Sequence, residues 1–372
     1  DSPFLTAIYS SAGFLKGNDF KHFSSSKIAI PSSVRIVEYI TNNDFVLIKK
    51  LTTQFDNQLL YENIIKLFKV AASLSTSIGT LTLERPTILA SGILGISLNI
   101  FERLYRAGAG AVVTKSLSKE PWDGYANPTI FSVKGGGWLN AVGLSNPGAP
   151  NFAKMITSNK DVPIIVSLVG SVEDDFDFMV KQFENCKVSA YELNLSCPHV
   201  AKVGLEVGDD VELVKKIVKK VKSLTDVPVI AKVGLGTTNY LDTVSAACDA
   251  GADGITAINT IRAMAIDVET RKPILSNKIG GLSGTPIKPI AVRCVYEISS
   301  KFDVPIIGCG GISTWQDAVE FILAGACAVQ FGSVLGEHWT EVFAEINSGI
   351  QNYMEQKGYS SIGEMVGQSK ES

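Results

Sequence analysis

The residues with most chemistry to offer stand in short phrases along the chain. They are Lys115-Ser116, Asn140 in NAVGLSNPG, Asn194-Leu195-Ser196-Cys197-Pro198-His199, Lys232, Asn259-Thr260, Gly284 in GGLSG, Gly310-Gly311 and Gly332-Ser333. Paired glycines bare their backbone N–H groups, which suits phosphate; without a ligand they are tight-turn residues. A lysine in a buried site costs stability unless it is paired. Lys115 and Lys232 therefore each read two ways, as a counter-charge for an anionic ligand or as the partner of a structural carboxylate. Asn140, Asn194 and Asn259 carry donor and acceptor on one amide, which fits a planar imide or a carboxylate; each could equally cap a loop. Cys197 lies in a polar loop, where a thiol with a lowered pKa or a proton path can act as a base. The remaining cysteines, Cys186, Cys248, Cys294, Cys309 and Cys327, read as small core residues. Cys197 and His199 alone do not make a metal site, and no cysteine spacing suits zinc or an iron–sulfur cluster, so no metal is expected.

Two recurring phrases indicate the elements that hold these residues. AGAGAVVTK (107–115), AGADGITAIN (250–259) and AGACAVQFG (324–332) close a helix with small residues and pass into a β-rich run. DVPIIVSL (161–168), DVPVIAKV (226–233) and DVPIIGCG (303–310) open a strand with proline, where the missing N–H is tolerated. Strands are expected at Thr87–Ala90, Ala111–Thr114, Ile164–Leu168, Ala190–Leu193, Val229–Ala231, Gly254–Ile258, Ile306–Gly308 and Ala328–Phe331. Near-continuous apolar strands alternating with helices require a parallel sheet buried on both faces. Eight βα units favour a closed (β/α)8 TIM barrel, in the α/β class, over an open doubly wound sheet. In a barrel the site lies where strands end and βα loops begin, so the polar phrases converge on one rim. The run from Gly135 to Gly148 reads as a long loop above that rim.

Residues 1–75 carry Ser and Asn clusters and no recognisable motif, and are expected to be an N-terminal extension. Within it, Gln58–Ala72 has helical spacing. The barrel is expected over 76–350 and a C-terminal helix or tail over 351–372. The chain's 372 residues carry a net charge of −3, with lysines spread among carboxylates, so no nucleic-acid partner is expected. No apolar run is long enough for a membrane span, and the first residues lack signal-peptide character. With no disulfide framework either, a cytoplasmic location is expected.

Together these segments resemble the class 1 dihydroorotate dehydrogenases. The matching stretches are ASG (90–92), VTKSLS (113–118), NAVGLSNPG (140–148), NLSCP (194–198), AKVG (231–234), INT (258–260), GGLSG with IKP (280–289), GCGGIS (308–313) and FGS (331–333). The INT and GGLSG…IKP segments are more similar to class 1B, whose members pass electrons to NAD through a subunit carrying FAD and an iron–sulfur cluster. The resemblance implies an oxidoreductase that converts dihydroorotate to orotate with FMN. A hydride would leave substrate C6 for flavin N5, and Cys197 would take the C5 proton. Lys232 would stabilise the reduced flavin near N1. Ala90, Ser91, Lys115, Ser116, Asn194, Gly284, Gly310, Gly311, Gly332 and Ser333 would bind the cofactor. Lys115, Asn140, Gly143, Leu144, Asn194, Asn259 and Thr260 would hold the substrate. A homo-oligomer and an FAD/iron–sulfur partner subunit are implied in the same way. In the family an Asn usually follows the proline of NLSCP. Here it is His199, as in the related dihydropyrimidine dehydrogenases, which brings in dihydrouracil as a second candidate substrate. The glycine turns would also suit a flavin-free phosphate-binding barrel, and the N-terminal segment would suit a non-catalytic assembly subunit.

Overall fold

Short runs rich in Ile, Val and Ala, several opened by proline, form the frame of the molecule. The computed structural model describes residues 72–196, 207–236 and 239–370 in full, and the backbone of two strands at 34–42 and 45–53. The strands are β1 (Thr87–Leu89), β2 (Ala111–Val113), β3 (Ile164–Leu168), β4 (Ala190–Asn194), β5 (Val229–Val233), β6 (Gly254–Ala257), β7 (Ile306–Cys309) and β8 (Ala328–Phe331). They pair in parallel and in order, with β8 returning to β1, as a closed barrel. All eight expected strands are present. The opening prolines keep their carbonyls in the ladder. The Pro163, Pro228 and Pro305 oxygens accept from the N–H groups of Val112, Tyr191 and Ile255, at 3.0, 2.9 and 2.9 Å. Proline therefore costs nothing at these positions, because only its N–H is missing.

Side chains alternate across the barrel wall with the period of two that a strand imposes. Outward residues such as Val112, Ile164, Val166, Leu193, Val229 and Val329 pack against the helices. Inward residues, among them Ile88, Ala111, Val113, Ile165, Ala190, Ile230, Ile307 and Ala328, meet in a separate apolar cluster at the base of the barrel. A short hairpin, Thr76–Ile78 with Leu81–Leu83, supplies Ile78 and Leu83 to that cluster. It thereby closes the floor.

Each strand is followed by a helix: α1 (Leu98–Arg106), α2 (Ala149–Ile156), α3 (Glu173–Lys181), α4 (Val211–Lys222), α5 (Tyr240–Asp249), α6 (Lys288–Lys301), α7 (Trp315–Ala324) and α8 (Val342–Lys357). Their starts follow local rules. Asp210 Oδ1 caps α4 by accepting from Leu213 N at 3.1 Å. Thr314 and Asp317 form a capping box on α7. Asp317 also pairs with Lys288 of α6 at 2.7 Å, which ties two neighbouring helices together. Asn347 of α8 accepts from Thr87 Oγ1 at 3.0 Å and donates to Gly108 O at 2.8 Å, seating the last helix on the first strand.

Two connections are much longer than the rest, those after β2 and β6. Together they build a four-stranded antiparallel sheet in the order Ile261–Ala263, Gly280–Gly284, Gly137–Asn140, Ile130–Val133. The run from Gly135 to Gly148, expected as a loop, is therefore a strand over Gly137–Asn140. The strand pairs on one side with the nearby Ile130–Val133 and on the other with Gly280–Gly284, in which Gly281 faces Asn140 and which lies in a different βα connection.

By its internal contacts the chain divides into Asp1–Ala71 and Ala72–Ser372. The first unit contains an antiparallel pair, Val34–Asn42 with Phe45–Thr53, an element the sequence did not announce. The helix expected from Gln58 falls, up to residue 71, outside the described residues. Among the described residues no helix is long and apolar enough to cross a membrane.

Candidate active site

The same period of two that points Ala190, Ile230 and Ala328 into the base points Glu192, Lys232 and Gln330 inward one step higher. Two steps above Ala190 it reaches Asn194. Thr256 is the cross-strand neighbour of Lys232. The barrel interior thus changes from apolar to polar toward the C-terminal ends of the strands, the end where barrel enzymes carry their sites.

The lower polar layer is a closed set. Glu192, Thr256 and Gln330 are fully buried and Lys232 is 5% exposed. Gln330 Nε2 donates to Glu192 Oε2 at 2.7 Å, and Thr256 Oγ1 donates to the same oxygen at 3.1 Å. Lys232 Nζ donates to Gln330 Oε1 at 3.1 Å and stands 3.5 Å from Glu192 Oε1. Burial works against the Lys232 charge, but the Glu192 carboxylate beside it holds its pKa above the ordinary lysine value. Lys232 is thus a strand residue paired with a carboxylate, where the sequence placed it just past the strand. Glu192, Thr256 and Gln330 are site residues that sequence reasoning missed. The signal was there: a polar residue within an apolar strand run, at the parity of the core positions.

Above that layer a chain of hydroxyls and amides runs across the strand ends. Ser91 Oγ lies 3.1 Å from Ser116 Oγ, which lies 3.0 Å from Ser167 Oγ. Asn194 Nδ2 donates to Ser116 Oγ at 3.1 Å, and Asn259 Nδ2 donates to Asn194 Oδ1 at 3.2 Å. Asn259 in turn accepts from Thr260 N at 2.8 Å. Residues from the ends of five strands are thereby brought together, with Ser167 of β3 as a member the sequence did not flag. Lys115, half-buried at the end of β2, has no side-chain partner among the described residues. Burial alone lowers its pKa.

The upper sheet brings in Asn140, whose Nδ2 donates to Gly281 O at 3.2 Å. Gly281 must be glycine, because a Cβ there would stand 2.1 Å from Thr260 Oγ1. Asn140, Gly281 and Thr260 are consequently one assembly. Gly143 and Leu144 follow with positive φ, 74° and 57°. The Leu144 carbonyl accepts from Asn146 Nδ2 at 2.7 Å.

The glycine turns gather at the ends of β7 and β8. Gly310 and Gly311 have φ of 129° and 77°. A Cβ on Gly311 would meet Gly284 O at 2.7 Å and Lys288 N at 2.9 Å. Gly284, Gly311 and the start of α6 therefore crowd together, and α6 has no side-chain cap. The Lys288 N–H already donates to Thr285 O and Pro289 has no N–H, so it is the glycine turn rather than the helix start that suits an anion. Gly332 packs beside Ala90, and the Ala90 N–H donates to Phe331 O at 3.0 Å. Ser333 is half-buried just beyond. Cys197 and His199 lie outside the described residues, in the segment that follows Ser196. Of the other cysteines, Cys294 and Cys309 are buried, while Cys186, Cys248 and Cys327 are only partly so.

A parallel (β/α)8 barrel with a polar mouth, a half-buried lysine at its rim and glycine turns after its last strands belongs to the ligand-binding barrel enzymes. Comparison with known proteins narrows the class. The family model described as dihydroorotate dehydrogenase matches residues 73–354. A dihydroorotate dehydrogenase B (NAD(+)) catalytic subunit from Pyrococcus furiosus is 49% identical over 288 residues, covering 77% of this chain and 95% of its own length. Proteins of the same name from Thermococcus kodakarensis and Methanothermobacter thermautotrophicus are 47% and 44% identical, each over 297 residues, covering 80% and 79% of this chain and 98% and 97% of their own. This chain belongs to the dihydroorotate dehydrogenase family, an oxidoreductase family, and its relatives carry the B designation that the 1B-like segments anticipated.

Proposed function

We propose that the barrel mouth oxidises dihydroorotate to orotate in pyrimidine biosynthesis, with FMN as the bound cofactor. When bound, FMN supplies the two-electron acceptor for the hydride leaving substrate C6. The donor set fits such a group. The Gly310-Gly311 turn, where a side chain would not fit, suits a phosphate, with Gly284, Gly332 and Ser333 beside it. Ala90, Ser91, Ser116 and Asn194 would line the ring pocket. Lys232, charged and held from below, would offer positive charge to a ring that gains electrons.

Substrate binding would fall to the amide chain. Asn194 and Asn259 present paired donors and acceptors to the pyrimidine, and Asn140, Gly143, Leu144 and Thr260 close over it from the upper sheet. Lys115 would sit between cofactor and substrate as counter-charge to an anion. Cys197 would accept the C5 proton as general base. The observation that carries this reading is the Ser116–Asn194–Asn259 chain beside Lys115, which has no side-chain partner among the described residues, in a chain of this family. As in relatives named catalytic subunits, electrons would leave through a second subunit, one with FAD and an iron–sulfur cluster, to NAD. The setting would be cytoplasmic and the catalytic chain a homo-oligomer.

An anaerobic visible spectrum of FMN-supplemented protein tests the reading. Dihydroorotate should bleach the flavin absorbance and dihydrouracil should not. Bleaching by dihydrouracil alone would move the substrate to the one that His199 brings in, and protein that takes up no flavin would end the proposal.

A further inference from the structure

The buried layer beneath Lys232 has no evident purpose in the fold. Moving a carboxylate and an ammonium out of water costs several kcal/mol for each ion. Apolar side chains fill the equivalent space one step lower, where Ile230, Ala190 and Ala328 stand. Yet Glu192 is fully buried. Two neutral groups donate to its Oε2, at 2.7 and 3.1 Å. Its Oε1 makes no hydrogen bond and lies 3.5 Å from Lys232 Nζ. Gln330 bridges the pair, donating to the carboxylate and accepting from the ammonium. Such a set of contacts pairs the two ions and holds the lysine in one place.

We propose that Glu192 is a positioning residue for Lys232 which, by offsetting part of its charge, sets the reduction potential of a flavin bound above it. This rests on the reading that FMN occupies the mouth. Two electrons and one proton give a ring with one negative charge, and a cation nearby favours that form. A carboxylate directly behind the cation weakens the same field, because interactions at this range are only partly screened inside a protein. The pair therefore has two consequences. The lysine is held in one place, and its pull on the reduced ring is held below that of a lone ammonium.

The test is a reductive titration of FMN-loaded protein against a reference dye, which reads potential rather than turnover. Glu192→Gln keeps the shape and removes the charge. It should shift the ratio of reduced to oxidised flavin about tenfold toward reduced, about 30 mV for a two-electron couple. Glu192→Asp draws the charge back from Lys232 and should shift it the same way by less. In a Lys232→Met background the Glu192→Gln shift should vanish, since a buried carboxylate left without its cation takes up a proton and is then as neutral as the glutamine. A wild-type potential in Glu192→Gln, a shift toward oxidised flavin, or a shift that survives Lys232→Met would overturn the proposal. Should Glu192→Gln not fold, Glu192→Asp decides alone: a potential unchanged or moved toward oxidised flavin rejects the role. Failure of the wild-type protein to bind FMN is a separate result and counts against the function, not against this pairing.

Discussion

The lower and upper halves of the barrel interior are made by the same strands with the same alternation, yet they hold opposite chemistry. Below, Ile88, Ile165, Ile230 and Ile307 pack with Ile78 and Leu83 of the closing hairpin. Above, Glu192, Lys232, Thr256 and Gln330 fill the same cross-section with an ion pair bridged by the Gln330 amide. The lower layer stabilises by removing apolar surface from water, worth about 25 cal/mol per Å². The upper layer is close to neutral in stability, since buried ion pairs often no more than offset their desolvation. The two halves differ because the floor has only to be filled, whereas the mouth has to meet a ligand.

The largest expected effect is on the chemistry of the mouth. Cys197→Ala should retain FMN and lose about 10²–10⁴-fold in turnover with dihydroorotate, the usual cost of removing a general base. Steady-state kinetics beside the flavin spectrum will check it; near-normal turnover removes Cys197 from the base role. Next comes the floor. Ile307→Ala should cost about 2–5 kcal/mol in denaturant unfolding, as a buried large-to-small change does, while folded protein keeps its flavin spectrum. A simultaneous Glu192→Leu, Lys232→Met, Gln330→Leu and Thr256→Val change should sharpen the contrast from the other side. It should leave unfolding stability unchanged or raise it by about 1–4 kcal/mol, and abolish turnover. A large loss of stability there would mean that the polar layer is structural.

A smaller effect separates the two lysines. Burial lowers Lys115, whereas Lys232 is raised with Glu192 beside it. A bound anion favours the charged form of Lys115, so affinity is fullest below its folded pKa and falls as pH rises through it. Calorimetric titration with orotate across the alkaline range should show this decline, and Lys115→Met should flatten it. The smallest effect lies outside the barrel. Burial pushes the Asp317 carboxyl up, but Lys288 and the Ser313 and Thr314 donors outweigh it and leave the pKa below the ordinary value. Its stabilisation is therefore fully present above the unfolded carboxyl pKa, and is lost as pH falls through the lower folded one. Asp317→Asn should cost about 1 kcal/mol at neutral pH, as loss of a cap does, and the gap from wild type should close in acid.

Much of the frame was legible along the chain. Parallel strands buried on both faces are apolar throughout, so the runs after Pro163, Pro228 and Pro305 announced themselves. Reading the residues that follow each run also found Lys115, Asn194, Asn259 and the Gly310-Gly311 turn. Glu192 and Gln330 escape such a reading because each sits inside a strand, where a search of strand ends does not look. The Gly137–Asn140 strand reads as loop, since the glycines before it signal a turn and one of its two partners, Gly280–Gly284, lies far along the chain.

By itself, then, the sequence determined the rhythm of strands and helices, the eight-fold barrel and the rim on which its polar residues stand. These follow from local hydrophobic period and turn chemistry, which neighbours in sequence are enough to specify. Which polar groups touch was decided only by the tertiary structure. Lys232 meets Glu192 and Gln330, while Lys115 stays unpaired among the described residues, because barrel closure sets the register between strands remote in sequence. A charge inside a protein takes its character from its neighbours, and those neighbours are chosen by the closed sheet.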